Sequence, residues 1–324
     1  MEYRLLGRTG VRVSRLCFGT MSFGGDADEA EAASMYRACR DAGINFFDCA
    51  DQYNKGRSEE VLGELMRGHR DELIITTKSF NPAGPDINAR GNSRRHITRA
   101  IEGSLKRLGT DRVDVFFLHQ ADPHTPIEES LRALEDLARA GKVLYSGLSN
   151  HSAWLTQKAL DLQEAQGWSR LQVIQPMYNL VKRQAEVEIL PMAQANGIAV
   201  IPYSPAGGGL LSGKYAQKDA QGRLATNKMY TERYGEPWMH ETAAKFAEFC
   251  RNKNLDPVSV AVAWVGAHPG VTAPIIGARS LSQLRASLDS LKVDMNPILR
   301  TTIAELSRTP PPATDRSEEA KKAG

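Results

Sequence analysis

Eight short apolar runs, separated by stretches of helical periodicity, limit the folds open to this chain more than any other feature. The runs begin near Leu16, Asn45, Leu73, Val113, Val143, Val173, Ile198 and Ala273. Between them, residues 29–42, 97–108, 128–140 and 184–196 repeat apolar side chains at the helical period. Gly43, Gly109, Gly141 and Gly197 stand where these stretches end, as C-caps require. Strands that alternate with helices pair in parallel, and eight such units close a barrel. The alternative, an open doubly wound sheet, lacks its usual GxGxxG after the first strand. Leu16–Gly25 is glycine-rich but wrongly spaced. The sequence therefore predicts an α/β chain, a (β/α)8 TIM barrel. A length of 324 residues suits one such barrel with insertions.

Three segments stand outside that rhythm. Residues 3–5 and 11–13 flank Arg8-Thr9-Gly10 and predict an N-terminal β-hairpin that plugs the barrel bottom. Residues 79–95 and 205–238 interrupt the pattern after the third and seventh strands. Both fall on the C-terminal side of a strand, the catalytic side of a barrel, and predict long loops walling its mouth. Residues 308–324 are rich in proline, alanine and charge, which predicts a disordered tail after a single domain spanning 1–307.

Four ionisable residues lie at or just after the ends of apolar runs. Asp48 closes Asn45-Phe46-Phe47-Asp48, with Tyr53 five positions on; Lys78 closes the third run and His119 the fourth. Taken singly, each has a plainer reading: the acid as a helix cap, the lysine as a solvated end, the histidine as a satisfied core residue. In a parallel barrel all four meet at one mouth, and an acid, a phenol, an amine and an imidazole together make a proton-transfer site.

Other classes find little support. A net charge of +3 gives no basic footprint for nucleic acid. No run approaches the ~18 apolar residues that span a bilayer, and the start lacks the apolar core of a secretory signal. Cys17, Cys39, Cys49 and Cys250 form no CxxC pair, so free buried thiols and a reduced, cytoplasmic setting are expected. The seven histidines show no HExxH and no His/Cys cluster, so no metal is expected.

Several motifs occur in order: Phe47-Asp48-x-Ala50-x-x-Tyr53, Leu108-Gly109-Thr110-Asp111-Arg112-Val113-Asp114 leading to His119, Gly147-Leu148-Ser149-Asn150, Gln175-Pro176-x-Tyr178-Asn179, Tyr203-Ser204-Pro205, Gly209-Leu210-Leu211-Ser212-Gly213-Lys214 and Ile276-Gly277-Ala278-Arg279-Ser280. With them the chain resembles the aldo-keto reductase superfamily from residue 7 to about 291. It is most similar to the bacterial branch that also contains the potassium-channel β subunits. The resemblance implies a catalytic tetrad of Asp48, Tyr53, Lys78 and His119, with Tyr53 donating the proton that a carbonyl oxygen needs when hydride reaches its carbon. Bringing a phenol about three units towards neutrality takes roughly 4 kcal/mol. One ammonium about 4 Å away supplies that at an effective dielectric near 20, so Lys78 alone is expected to tune Tyr53. Asp48 then holds Lys78 charged, and His119 orients the carbonyl.

The resemblance also implies NADPH, bound without a Rossmann fold, and a small-molecule aldehyde or ketone substrate. Tyr203 would stack on the nicotinamide, with Thr20 and Met21 beside it, and Ser149, Asn150 and Gln175 would meet its carboxamide. Ser204, Pro205, Ala206, Gly207 and Gly208 would face the pyrophosphate, with Lys214 as countercharge. The glycines from Gly207 to Gly209 fit a lid hinge equally well. Gly277 and Arg279 precede a helix start, where Arg279 would take the 2′-phosphate and Gln283 the adenosine. Relatives often carry Glu and Asn just beyond, where this chain has Ala286 and Ser287, so a weakened adenine grip is expected. Asn54 follows Tyr53 where relatives often have glycine, a mild change because Asn tolerates left-handed backbone. Substrate walls are expected from Met21, Phe23, Tyr178, Tyr230, Tyr234 and Trp238. Two other functions fit parts of the pattern: a cofactor-binding regulatory protein with slow chemistry, as among the channel β subunits, and an aldolase using Lys78 as a Schiff base. His119 weighs against the first, since the channel subunits replace it, and the nicotinamide motifs against the second. The oligomeric state is not legible.

Overall fold

A computed structural model describes residues 1–82, 84–216, 222–316 and 318. Two strands come first, β1 (Tyr3–Leu5) and β2 (Arg12–Ser14), paired antiparallel. Eight more follow: β3 (Cys17–Gly19), β4 (Phe46–Asp48), β5 (Ile74–Ser79), β6 (Val113–Leu118), β7 (Val143–Ser149), β8 (Val173–Gln175), β9 (Ala199–Val200) and β10 (Ile275–Ile276). They form one parallel sheet in the order β10-β3-β4-β5-β6-β7-β8-β9. Its ends meet through a parallel bridge between Tyr203 and Ile275, and Ile275 N–H donates to the Pro202 carbonyl at 2.9 Å. The sheet is thus a (β/α)8 barrel with an N-terminal hairpin.

Side chains on a strand alternate between faces, so each barrel strand serves two cores. In β6, Val115 and Phe117 point into the barrel while Phe116 and Leu118 face the helices. Phe46 likewise points in and Phe47 out. The interior is packed tightly: a Cβ on Gly147 would lie 2.4 Å from the Phe117 ring, so the glycine makes room for it. Leu6 and Val13, both fully buried, join the interior core and close its lower end, as the hairpin reading expects.

Gly43, Gly109, Gly141 and Gly197 all have positive φ, between 62° and 83°, where their helices end. The stretch 184–196 is not one helix. A 3-10 turn, Gln184–Glu186, precedes the helix Ile189–Asn196. Pro191 explains the break: it has no N–H to give and fits only the first helical turn. The insertion after β9 is more structured than a loop, holding 3-10 turns at Gly207–Ser212 and Lys214–Ala216 and helices at Arg223–Thr226 and Lys228–Arg233. The insertion after β5 holds no helix or strand among its described residues before Arg94. Residues 308–316 contain none either, and residues 317 and 319–324 of the expected tail lie outside the described residues. Among the described residues, no helix is long and apolar enough to cross a membrane.

Candidate active site

The barrel's alternation also builds the site. Residues two positions beyond an inward-facing core residue face the same way, and at the C-terminal ends of the strands they reach the mouth. Phe46 leads to Asp48, Thr76 to Lys78, Phe117 to His119, Val173 to Gln175 and Ile201 to Tyr203. Tyr53 comes from the turn after β4. There Asn54 and Lys55 adopt left-handed backbone at φ 49° and 56°, which turns the chain sharply back over the mouth. Asn54 anchors the turn by donating to the Met21 and Phe23 carbonyls.

Lys78 is fully buried and its ammonium has three partners: Asp48 Oδ2 at 2.6 Å, the Cys49 carbonyl at 2.5 Å and the Tyr53 hydroxyl at 3.4 Å. Asp48 also accepts from Thr76 Oγ1 at 2.6 Å and from Gln175 Nε2 at 2.9 Å. Burial works against the charge on Lys78, but Asp48 and Tyr53 outweigh it and raise its pKa above the usual lysine range. The His119 ring stands edge-on to Tyr53, 6.3 Å between centroids. Burial, then the Lys78 charge, push His119 down to about 3, so the imidazole is neutral at physiological pH. Its Nδ1 is enclosed with no partner among the described residues. A proton there would be a buried donor without an acceptor, which favours the tautomer protonated on Nε2.

The phenol corrects the sequence reading. Burial pushes Tyr53 up to about 12, and Lys78 only partly offsets this. The single-pair argument omitted two things: the cost of a phenolate in a half-enclosed site, and the prior claim of Asp48 on the ammonium.

A cavity of about 580 Å³ opens from this cluster along the mouth to the helix Leu281–Asp289. A family model, the Aldo/keto reductase family, matches residues 15–306. The chain belongs to this family. This aldo/keto reductase is 39% identical to an uncharacterised oxidoreductase, YrpG, of Bacillus subtilis, over 91% of this chain and 93% of that protein. It is 35% identical to a probable voltage-gated potassium channel subunit beta of Oryza sativa, over 94% and 95% of the two chains. It is 33% identical to an L-glyceraldehyde 3-phosphate reductase of Escherichia coli, over 90% and 88%. The family makes the chain an oxidoreductase of carbonyl chemistry.

The reductase's cavity wall includes most positions the sequence singled out. Asp48, Tyr53 and His119 line one end, with Met21, Ser149, Asn150, Gln175 and Tyr203 around them. Ser204, Pro205, Ala206, Gly208 and Lys214 line the middle, and Gly277, Arg279 and Gln283 the far end. Lys78 stands behind the wall. Thr20 and Gly207 do not line it: Thr20 is buried and bonded to the Asp48 carbonyl and Ser58, and Gly207 turns its N–H to the Ser204 carbonyl. Gln175 and Asn150 are engaged within the protein, Asn150 donating to the His119 carbonyl and accepting from Tyr203. Among the expected substrate walls, Met21 and Tyr230 line the cavity. Phe23, Tyr178 and Tyr234 are core residues and Trp238 packs against the core. Gln52, Met229, Arg233, Val258 and Val262 are walls that sequence reasoning missed. Gln52 follows from its place beside Tyr53, whereas the helices holding the others carry no local signal.

Asp51, two residues before Tyr53, is a further buried acid. It is 5% exposed and neither carboxylate oxygen has a partner among the described residues. Burial, then the negative charge of Glu59, push it up to about 7 despite nearby Arg107. An unfolded aspartate titrates near 4, so between about pH 4 and 7 the folded chain holds the extra proton and stability falls as pH rises. Asp51→Asn removes that loss, on the order of 3–4 kcal/mol at most. The melting temperature of the variant, relative to wild type, is expected to be higher at pH 8 than at pH 5; a difference that stays flat with pH contradicts this.

Proposed function

We propose that the protein is an NADPH-dependent reductase that converts aldehydes or ketones to alcohols, with Tyr53 as general acid. The observation that carries this is the buried chain from Asp48 through Lys78 to the Tyr53 hydroxyl, with neutral His119 beside it. A phenol with pKa near 12 keeps its proton at neutral pH, as a donor must. The ammonium of Lys78 stabilises the phenolate left after donation, Asp48 keeps that ammonium charged and in place, and the Nε2–H of His119 orients the carbonyl oxygen. The barrel through residue 307 acts as the catalytic unit.

The cavity suits a dinucleotide. Tyr203 offers an aromatic face at the reacting end. The glycines at 207–209 all have positive φ, and a Cβ on Gly209 would lie 3.7 Å from the Lys214 ammonium, so backbone and cation come close together where a pyrophosphate needs both. Two of the three amides, those of Gly207 and Gly209, are spent on the turn itself, which leaves Lys214 the larger share. Arg279 stands at the start of the helix Leu281–Asp289, 3.9 Å from exposed Asp26, and its N–H is held by Gln283. Bound NADPH supplies the hydride; these residues hold and orient it. Ala286 and Ser287 line the wall beside Gln283, and their short side chains leave Arg279 most of the adenosine-end recognition.

Arg279→Ala is therefore expected to weaken NADPH binding about 10–150-fold, the worth of a charge-assisted contact of about 1.5–3 kcal/mol, and NADH much less. Fluorescence titration with both cofactors checks this; equal weakening places the 2′-phosphate elsewhere. The function itself is tested by NADPH oxidation against a panel of aldehydes and ketones. Turnover that requires both cofactor and carbonyl supports it. Binding of NADPH with no turnover on any member favours the regulatory reading instead.

A further inference from the structure

One cation on the cavity wall is used neither by the tetrad nor by the cofactor contacts. Arg233 ends the helix Lys228–Arg233. Its guanidinium lies 5.9 Å from the centre of the Tyr203 ring and 5.4 Å from that of Tyr230. The Tyr203 hydroxyl donates to Asn150 at 2.7 Å, and Asn150 reaches the His119 carbonyl at 2.9 Å. Arg233 thus stands one aromatic ring from the reacting end, away from the adenosine end that Arg279 serves.

Among the described residues no carboxylate pairs with Arg233, and its side chain bonds the Met229 sulfur. Its chain neighbour Glu232 faces Lys228 instead, at 3.7 Å. Lys182, over the Tyr234 ring, is close enough that burial and then the charge of Arg233 lower its pKa, with Glu236 opposing. Lys182 has no carboxylate partner among the described residues either. Among the described residues, Asp48 is the one carboxylate on the cavity wall, and Lys78 neutralises it. Two half-enclosed cations with no carboxylate partner among the described residues repel each other, and an anion arriving in the cavity relieves that repulsion. A guanidinium fork suits the paired oxygens of a carboxylate or a phosphate.

We propose that Arg233, backed by Lys182, determines substrate choice by binding an anionic group that the carbonyl substrate carries away from its carbonyl carbon. The substrate class is then short aldehydes or ketones bearing a carboxylate or a phosphate. This deepens the reductase reading and rests on it.

The test measures binding without turnover. Wild-type protein saturated with NADP⁺, which cannot reduce an aldehyde, is titrated with 4-oxobutanoate against butanal and with glyceraldehyde 3-phosphate against glyceraldehyde. Wild type is expected to bind the anionic member of at least one pair roughly 10- to 100-fold more tightly, and the pair that shows it tells carboxylate from phosphate. Arg233→Ala is expected to abolish that preference, and Arg233→Lys, which keeps charge but not the fork, to restore part of it. Raised salt should shrink the wild-type preference and leave the alanine variant unchanged. No preference in wild type for either pair overturns the proposal, as does a preference that survives Arg233→Ala. A variant that binds NADP⁺ more weakly yet keeps the preference also overturns it, because Arg233 is then a cofactor contact. Turnover with NADPH is scored separately: if neither aldehyde is reduced but the preference follows Arg233, the anion site stands and only the reductase reading fails.

Discussion

Tyr53→Phe is expected to lower carbonyl reduction by about 10²–10⁴ while NADPH binding stays within a few-fold. The substitution removes one oxygen from a ring that keeps its place against His119. That oxygen's contact in the protein is the 3.4 Å approach of Lys78, longer than the two other bonds the ammonium makes, so its loss leaves the Asp48–Lys78 pair intact. The effect should therefore appear in kcat and kcat/KM alike, as for an interaction made only in the transition state. Retention of more than about a tenth of wild-type turnover rules out the phenol as general acid.

Lys78→Met is expected to be as severe, with an added cost to the fold. The ammonium is fully buried, and its removal strands the Asp48 carboxylate with only neutral donors, Thr76 and Gln175. Breaking a buried pair in this way costs about 3–5 kcal/mol. The double variant Lys78→Met/Asp48→Asn removes the stranded charge as well. It should recover much of the lost melting temperature and none of the activity. In the alcohol-oxidation direction, which needs the phenolate, the limb on which residual activity rises with pH should move to higher pH, because Lys78 lowers the phenol's pKa in the intact site. A limb that stays in place shows that Lys78 does not act on Tyr53. If activity returns in the double variant, the loss in Lys78→Met came from instability.

The barrel was legible because each apolar run marks one strand, and its last inward-facing residue marks the mouth. Asp48, Lys78 and His119 could be read directly, since the two-residue period of a strand decides which way they face. The long segment after β9 offers no such period. Its aromatic residues could not be sorted into wall and core, and Tyr234 proved fully buried while Tyr230 faces the cavity. The 3-10 turn before residue 189 was hidden because the apolar repeat runs through it, and only Pro191 hinted at the break. The phenol's pKa was misjudged for a different reason: a charge pair can be guessed from sequence, but desolvation depends on everything packed around it. Arg233 went unnoticed because what surrounds an arginine is a fact of three dimensions.

The central claim, that this site sends a hydride to a carbonyl carbon and a proton from Tyr53 to its oxygen, is tested most directly with NADPH deuterated at the transferring C4 position. Wild type incubated with an aldehyde from the panel should yield alcohol carrying one deuterium on the carbinol carbon, and Tyr53→Phe should bind the same cofactor yet yield almost none. Unlabelled alcohol from wild type, or labelled alcohol from Tyr53→Phe at the wild-type rate, would contradict it.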